Sequence, residues 1–205
     1  MKKELLDKLK KINPLNKEGV PKNQGNCQWC AIEAARVLLE GVEPREIPNF
    51  EEGLEPIEER IHPKYGSESI QDPENFFKEL RNLNEGELML VSLESEDLDH
   101  AYIIYRDENK DFYLIDPDRQ VFIDLRLELD NREARQAFRQ KVQGWDGVNT
   151  VDYLNGDIIS DDSEEVESGF RDEVSVDVCV LNSKNLEEDP LPEYGSESPE
   201  RAFGF

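Results

Sequence analysis

Apolar positions fall along the chain in runs of two periodicities, and these runs predict the elements. Met1–Ile12 sets leucines among lysines and reads as a short amphipathic helix. Asn26-Cys27-Gln28-Trp29-Cys30 leads straight into Ala31-Ile32-Glu33-Ala34-Ala35-Arg36-Val37-Leu38-Leu39, an Ala/Leu-rich helix that ends toward Gly41. From Val42 to Pro73 the chain is rich in Pro and Glu and shows little periodicity. Pro73–Leu80 then opens another helix, with Asp72 as N-cap and Pro at the first position. Beyond it, apolar and β-branched residues dominate. Glu87–Leu93, Tyr102–Tyr105, Phe112–Ile115 and Val121–Asp124 read as strands. Asn131–Gln143 is a charged helical stretch, closed by the turn Gly144–Gly147.

Two of those strands form a hairpin around Arg106-Asp107-Glu108-Asn109-Lys110-Asp111, a strong turn signal. A loop at Asp107-Glu108-Asn109, with Asn109 left-handed, sets a register in which His100 lies directly opposite Asp116. Directly opposed residues have Cβ atoms about 4.5–5.5 Å apart, within reach of an imidazole–carboxylate hydrogen bond. A shorter loop at Glu108-Asn109 would instead pair His100 with Pro117. In both registers a His and an Asp share one end of the hairpin.

Chemistry enters at Cys27. A polar loop, Asn23-Gln24-Gly25-Asn26, turns there into a helix, and the free N–H groups and positive dipole end of that helix surround the sulfur. Such a setting favours the thiolate, which is the nucleophile. Cys at a helix start, followed in chain order by His and Asp on neighbouring strands, is the arrangement of papain-like cysteine enzymes.

Asn13-Pro14, the Asn26-Cys27-x-x-Cys30 block, the helix end at Ala34–Gly41, His100-Ala101-Tyr102 and Phe112–Pro117 together resemble the papain-fold toxin domain, the bacterial glutamine-deamidase-like group. The match covers about residues 13–41 and 86–122, with a variable middle. The resemblance implies an α+β, papain-like fold, its N-terminal nucleophile helix packed on an antiparallel β-sheet. It implies Cys27 as nucleophile, His100 as general base and acid, and Asp116 as the residue that orients the imidazole. Where that family follows its Asp with a Gln-Thr-Gly-like turn, this chain has Pro117-Asp118-Arg119-Gln120. Oxyanion donors would be the Cys27 backbone N–H plus a side-chain amide, with Gln24 and Asn26 as candidates.

The other candidate residues have plainer readings. Cys30, one turn along the helix, suits packing, and Cys179 sits in the apolar run Val176–Leu181 as strand core. His62, before Pro63, reads as a surface loop residue. A thioredoxin-type Cys27–Cys30 pair lacks the apolar strand that should precede it. A zinc site would have to draw on Cys179 with His62 or His100, at no familiar spacing, so no metal and no cofactor is expected.

Charge narrows the partners. With 24 basic and 48 acidic residues the net charge is −24, which opposes binding to bare nucleic acid. It fits a protein substrate, a basic one in particular, with a cognate immunity or inhibitor protein as a further partner. No stretch has the length of a membrane span, and Met1–Ile12 lacks the apolar run of a Sec signal peptide, so a cytoplasmic protein or one delivered by a specialised secretion system is expected. The domain reading is a papain-like catalytic domain over 1–150 and an acidic C-terminal extension over 151–205. That extension holds 16 acidic and 3 basic residues, with a strand over 174–182 and a tail without fixed fold after Asn185. Three functions stay open: protein-glutamine deamidation by a Cys27–His100–Asp116 triad, proteolysis or transglutaminase-like acyl transfer by the same triad, and a non-catalytic papain-fold binding module that works through its acidic surface.

Overall fold

The structure, a computed structural model, describes residues 1–51, 55–71, 73–94, 99–125 and 175–196. Helix α1 (Lys3–Leu9) leads through a loop to α2 (Cys27–Glu40). A π-helical turn (Ile57–Ile61), a short helix α3 (His62–Tyr65) and β1 (Glu68–Ser69) follow. Then come α4 (Pro73–Asn82), β2 (Leu88–Glu94), β3 (Asp99–Arg106), β4 (Phe112–Asp116), β5 (Val121–Asp124) and β6 (Ser175–Leu181). The class is α+β: six strands form one sheet in the order β1-β6-β2-β3-β4-β5, each neighbouring pair antiparallel.

Both faces of the sheet are covered, which explains why β2 reads as a continuous apolar run and not as an alternation. On one face Leu88, Leu90, Ala101, Ile103, Ile115, Cys179 and Leu181 pack with Ala31, Ile32, Ala34 and Ala35 of α2. On the other, Met89, Val91, Tyr102, Ile104, Leu114 and Val178 pack with Phe76, Phe77 and Leu80 of α4. The small residues of α2 bring its axis close to the sheet. At its far end Gly41 takes the left-handed φ of 65° that terminates the helix.

The β3–β4 hairpin differs from the expected register. Its loop runs from Asp107 to Asp111, and Lys110, not Asn109, is left-handed, with φ 69°. The cause is the Asp107 carboxylate, which accepts hydrogen bonds from the N–H groups of Asn109 (2.9 Å) and Asp111 (3.0 Å) and so sets the turn one residue further along. Arg106 therefore pairs with Phe112, and Ile103 with Ile115. Continued outward, this register sets Tyr102 across from Asp116 and His100 on the diagonal. A shift of two residues preserves the face on which every side chain lies.

The strand expected at 174–182 is β6, and it lies between β1 and β2. Residues 175–196, part of the expected C-terminal extension, thus share the core of the residues before 126. The stretch after Asn185, expected to lack a fixed fold, is packed as far as Ser196. Leu186 and Leu191 are buried, Tyr194 meets Trp29 edge-on at 5.5 Å, and Arg45 donates to the Tyr194 carbonyl at 2.9 Å. A Pro- and Ser-containing composition hid these apolar anchors. The Asp72 cap, the Asn131–Gln143 helix, the Gly144–Gly147 turn and the densest acidic run lie outside the described residues. No helix among the described residues is long and apolar enough to cross a membrane.

Candidate active site

Cys27 is the first residue of α2 and is half-buried. The loop that delivers it is fastened from two sides. On one, the Phe50 N–H donates to the Gln24 carbonyl (3.0 Å), the Gln24 N–H to Asn49 Oδ1 (3.0 Å), and Asn26 Nδ2 to the Pro48 carbonyl (3.1 Å). On the other, Asn13 and Asn23 exchange two hydrogen bonds of 2.9 Å. Gly25 fits between because its φ is 78° and because an added Cβ would meet the Phe50 Cβ at 3.1 Å. A loop bonded this densely presents Cys27 in one position.

His100 and Asp116 meet across the diagonal of the hairpin, not as the directly opposed pair expected from the sequence. His100 Nε2 and Asp116 Oδ2 are 2.7 Å apart, with His100 4% and Asp116 0% exposed. The second Asp116 oxygen accepts the Arg119 N–H at 3.3 Å. Burial alone would disfavour the imidazolium. The Asp116 charge and hydrogen bond, joined by a hydrogen bond and charge from Cys27, outweigh it and raise His100 to about 10. The thiol, the imidazole and the carboxylate are therefore one interacting cluster. With Nε2 given to Asp116, Nδ1 is the ring nitrogen able to exchange a proton with Cys27. Tyr102 lies near-parallel to the imidazole at a centroid distance of 6.4 Å, and burial together with the Asp116 charge keeps its phenol protonated.

The remaining candidates separate clearly. The Asn26 side chain donates to Pro48, and the Gln24 side chain is exposed. Gln28, next to Cys27, is engaged elsewhere: its Nε2 donates to Glu58 at 2.8 Å and its Oε1 accepts the Ile57 N–H at 3.0 Å. It thereby anchors the π-helical turn against the start of α2, a role that nothing in the local pattern signals. Cys30 is buried, and burial, then Asp118, Asp116 and Cys27, hold its thiol well above the ordinary range. Cys179 is core, its thiol pushed up by burial to about 12. His62, expected in a loop, is the half-buried first residue of α3. Pro63 can follow it because the first helical turn needs no N–H at that position.

Asp118, in the turn that departs from the family pattern, is a second acid near the cluster. Burial and Asp116 raise its pKa, while His100, Arg119 and the Asn26 N–H pull it down. Among the described residues, no group of three or more His, Cys, Asp or Glu is arranged to hold a metal ion.

No protein-family model matches the chain. No curated protein matches it either. Among solved structures, RavD (residues 1–200) from Legionella pneumophila (strain Corby) aligns with a TM-score of 0.40 and 11% identity, over 75% of this chain and 76% of that one. A likeness at that level assigns neither a family nor an activity.

Proposed function

We propose that this chain is a cysteine hydrolase acting on proteins, and that it deamidates glutamine side chains as a bacterial toxin or effector of the kind implied by the resemblance in its motifs. One observation carries the reading: the His100 imidazole is held at 2.7 Å by the buried Asp116 carboxylate, and Cys27, the first residue of α2, is among the groups that favour its protonated form.

The chemistry follows from the charges. With the proton held on His100, the Cys27 sulfur attacks the side-chain amide carbon and forms a tetrahedral adduct. Its oxyanion would be met by the N–H of Cys27 at the start of α2. The adduct collapses as His100 passes its proton to the leaving ammonia, and a thioester remains. Acylation removes the sulfur's charge and its hydrogen bond, two of the supports of the His100 proton. His100 is therefore left in its neutral form, which can take a proton from the water that attacks the thioester, so that glutamate is released and the thiol–imidazole pair restored.

Protease or transglutaminase-like chemistry would run through the same acyl-enzyme and differ in the group that leaves or enters. The test is incubation of wild type and Cys27→Ala with proteins rich in accessible glutamine, read by peptide mass spectrometry and ammonia release. Amide-to-acid conversion with wild type alone is expected. Cleaved peptides would reassign the chemistry to proteolysis, and equal products from both forms would sink the triad.

A further inference from the structure

Asn13 is fully buried, though it lies in no helix and no strand. It sits in the segment Lys10–Asn13 that follows α1, a segment pinned by the burial of Ile12 and by the Ile47 N–H, which donates to the Ile12 carbonyl at 2.9 Å. From there the Asn13 amide reaches in two directions. Toward the nucleophile loop, Nδ2 donates to the Asn23 carbonyl and Oδ1 accepts the Asn23 N–H, both at 2.9 Å. Toward the turn after Asp116, Nδ2 donates to the Asp118 carbonyl at 2.7 Å.

The turn answers with a bond of its own. Gln120 Nε2 donates back to the Lys10 carbonyl at 2.9 Å and also to the Asn13 carbonyl. Gln120 holds a left-handed φ of 56°, which is unfavourable for a side chain with a Cβ and persists where the surroundings over-determine it. Two amides thus cross-stitch one short segment to the two pieces of chain that carry the cluster. One piece leads from Asn23 into Cys27. The other leads back from Asp118 to Asp116, and through it to His100.

We infer that Asn13, with Gln120 opposite it, is a positioning residue that fixes the separation between Cys27 and the His100–Asp116 pair. This rests on the hydrolase reading, because only a proton-exchanging pair needs such a fixed separation. A bonding pattern serving stability alone would leave the thiol's response to His100 unchanged when it is cut. A positioning role makes that response disappear, since small misplacements of reacting groups cost up to about a hundredfold in rate.

The test is the rate of iodoacetamide alkylation at each cysteine across neutral and mildly acidic pH, read by peptide mass spectrometry. It uses wild type, His100→Gln, Asn13→Ala, Gln120→Ala and the Asn13→Ala/His100→Gln double variant. Buried Cys30 and Cys179 report on the fold, because they label only when it opens.

Asn13→Ala is expected to slow Cys27 by about tenfold or more, with Cys30 and Cys179 still protected. Adding His100→Gln should then change little, the non-additivity of groups that act as a unit. Gln120→Ala should shift the profile in the same direction by less. A protected Asn13→Ala protein with the wild-type Cys27 profile overturns the inference. If Asn13→Ala exposes all three thiols, Gln120→Ala decides in its place, and a wild-type profile there overturns it. Failure of the hydrolase reading shows elsewhere, as equal Cys27 rates in wild type and His100→Gln. In that event the positioning role falls with it.

Discussion

The two faces of the sheet are built for different tasks. Under α4 the interior is hydrocarbon and aromatic: Phe76, Phe77, Leu80 and Leu83 against Val91, Ile104, Leu114 and Val178. Under α2 the packing is equally tight but mixed with buried polar groups. Glu33 accepts from Arg36 (2.9 Å) and from the Arg45 N–H (3.1 Å), Asn26 bonds Pro48, and Asn13 bonds two loops. Apolar contact is non-directional and supplies cohesion in bulk. Hydrogen bonds are directional, cost free energy when left unmade, and so select one arrangement. The α4 face gives the sheet its cohesion, while the α2 face sets where Cys27 stands.

If the division is real, variants on the two faces should fail in different ways. The largest effect is expected for His100→Gln, which keeps a donor for Asp116 but cannot shuttle a proton. Turnover should fall by about a hundredfold to ten-thousandfold with thermal unfolding little changed. An active His100→Gln protein would remove the chemistry from this end of the sheet. Phe76→Ala, in the apolar cluster under α4, should cost about 3–5 kcal/mol in denaturant unfolding and leave the pH profile of Cys27 alkylation as in wild type. A shifted profile there would mean that the faces are coupled.

Roughly half of this was legible in the sequence, and the line between what was and what was not is physical. Cys27 stood out because a polar loop followed by an Ala-rich run is a local signal of a helix start. His100 and Asp116 stood out because strand runs and a turn cluster place them at one hairpin end. The register was missed because one side chain, Asp107, sets the turn one residue further along than the backbone pattern alone favours. The contact survived because an error of two residues keeps the face. Asn13 was legible only as part of a motif, since its partners are backbone carbonyls that look alike in any sequence. Asn26 was a candidate oxyanion donor by its position, and its amide is bonded to Pro48.

A smaller effect concerns pH. The folded protein raises His100 from 6.5 to about 10, so the imidazolium contributes stability that is complete below 6.5 and is lost as pH rises toward 10. The melting temperature of wild type should therefore fall from neutral pH toward pH 10 more steeply than that of His100→Gln. Parallel curves would show that the imidazolium is not stabilised. Least affected should be Cys30→Ala. It trims a buried thiol below the cluster and should cost about 1 kcal/mol in stability, with Cys27 alkylation kept. Loss of Cys27 reactivity in a folded Cys30→Ala protein would point to a dithiol chemistry.

The place of β6 has a consequence for the making of the molecule. Its partner β2 ends at Glu94, whereas β6 begins only at Ser175, so the middle of the sheet is closed by a pairing between distant parts of the chain. Non-local pairing of this kind is slow to form, since chain entropy must be lost before any contact is gained. During synthesis α2 and the His–Asp hairpin leave the ribosome well before β6, while β2 still presents a bare, apolar edge. Such an edge is the kind of surface on which nascent chains aggregate or recruit chaperones. The parts that carry Cys27, His100 and Asp116 are thus made first and the sheet is closed last, which delays the finished fold until the strand at 175–181 has been added.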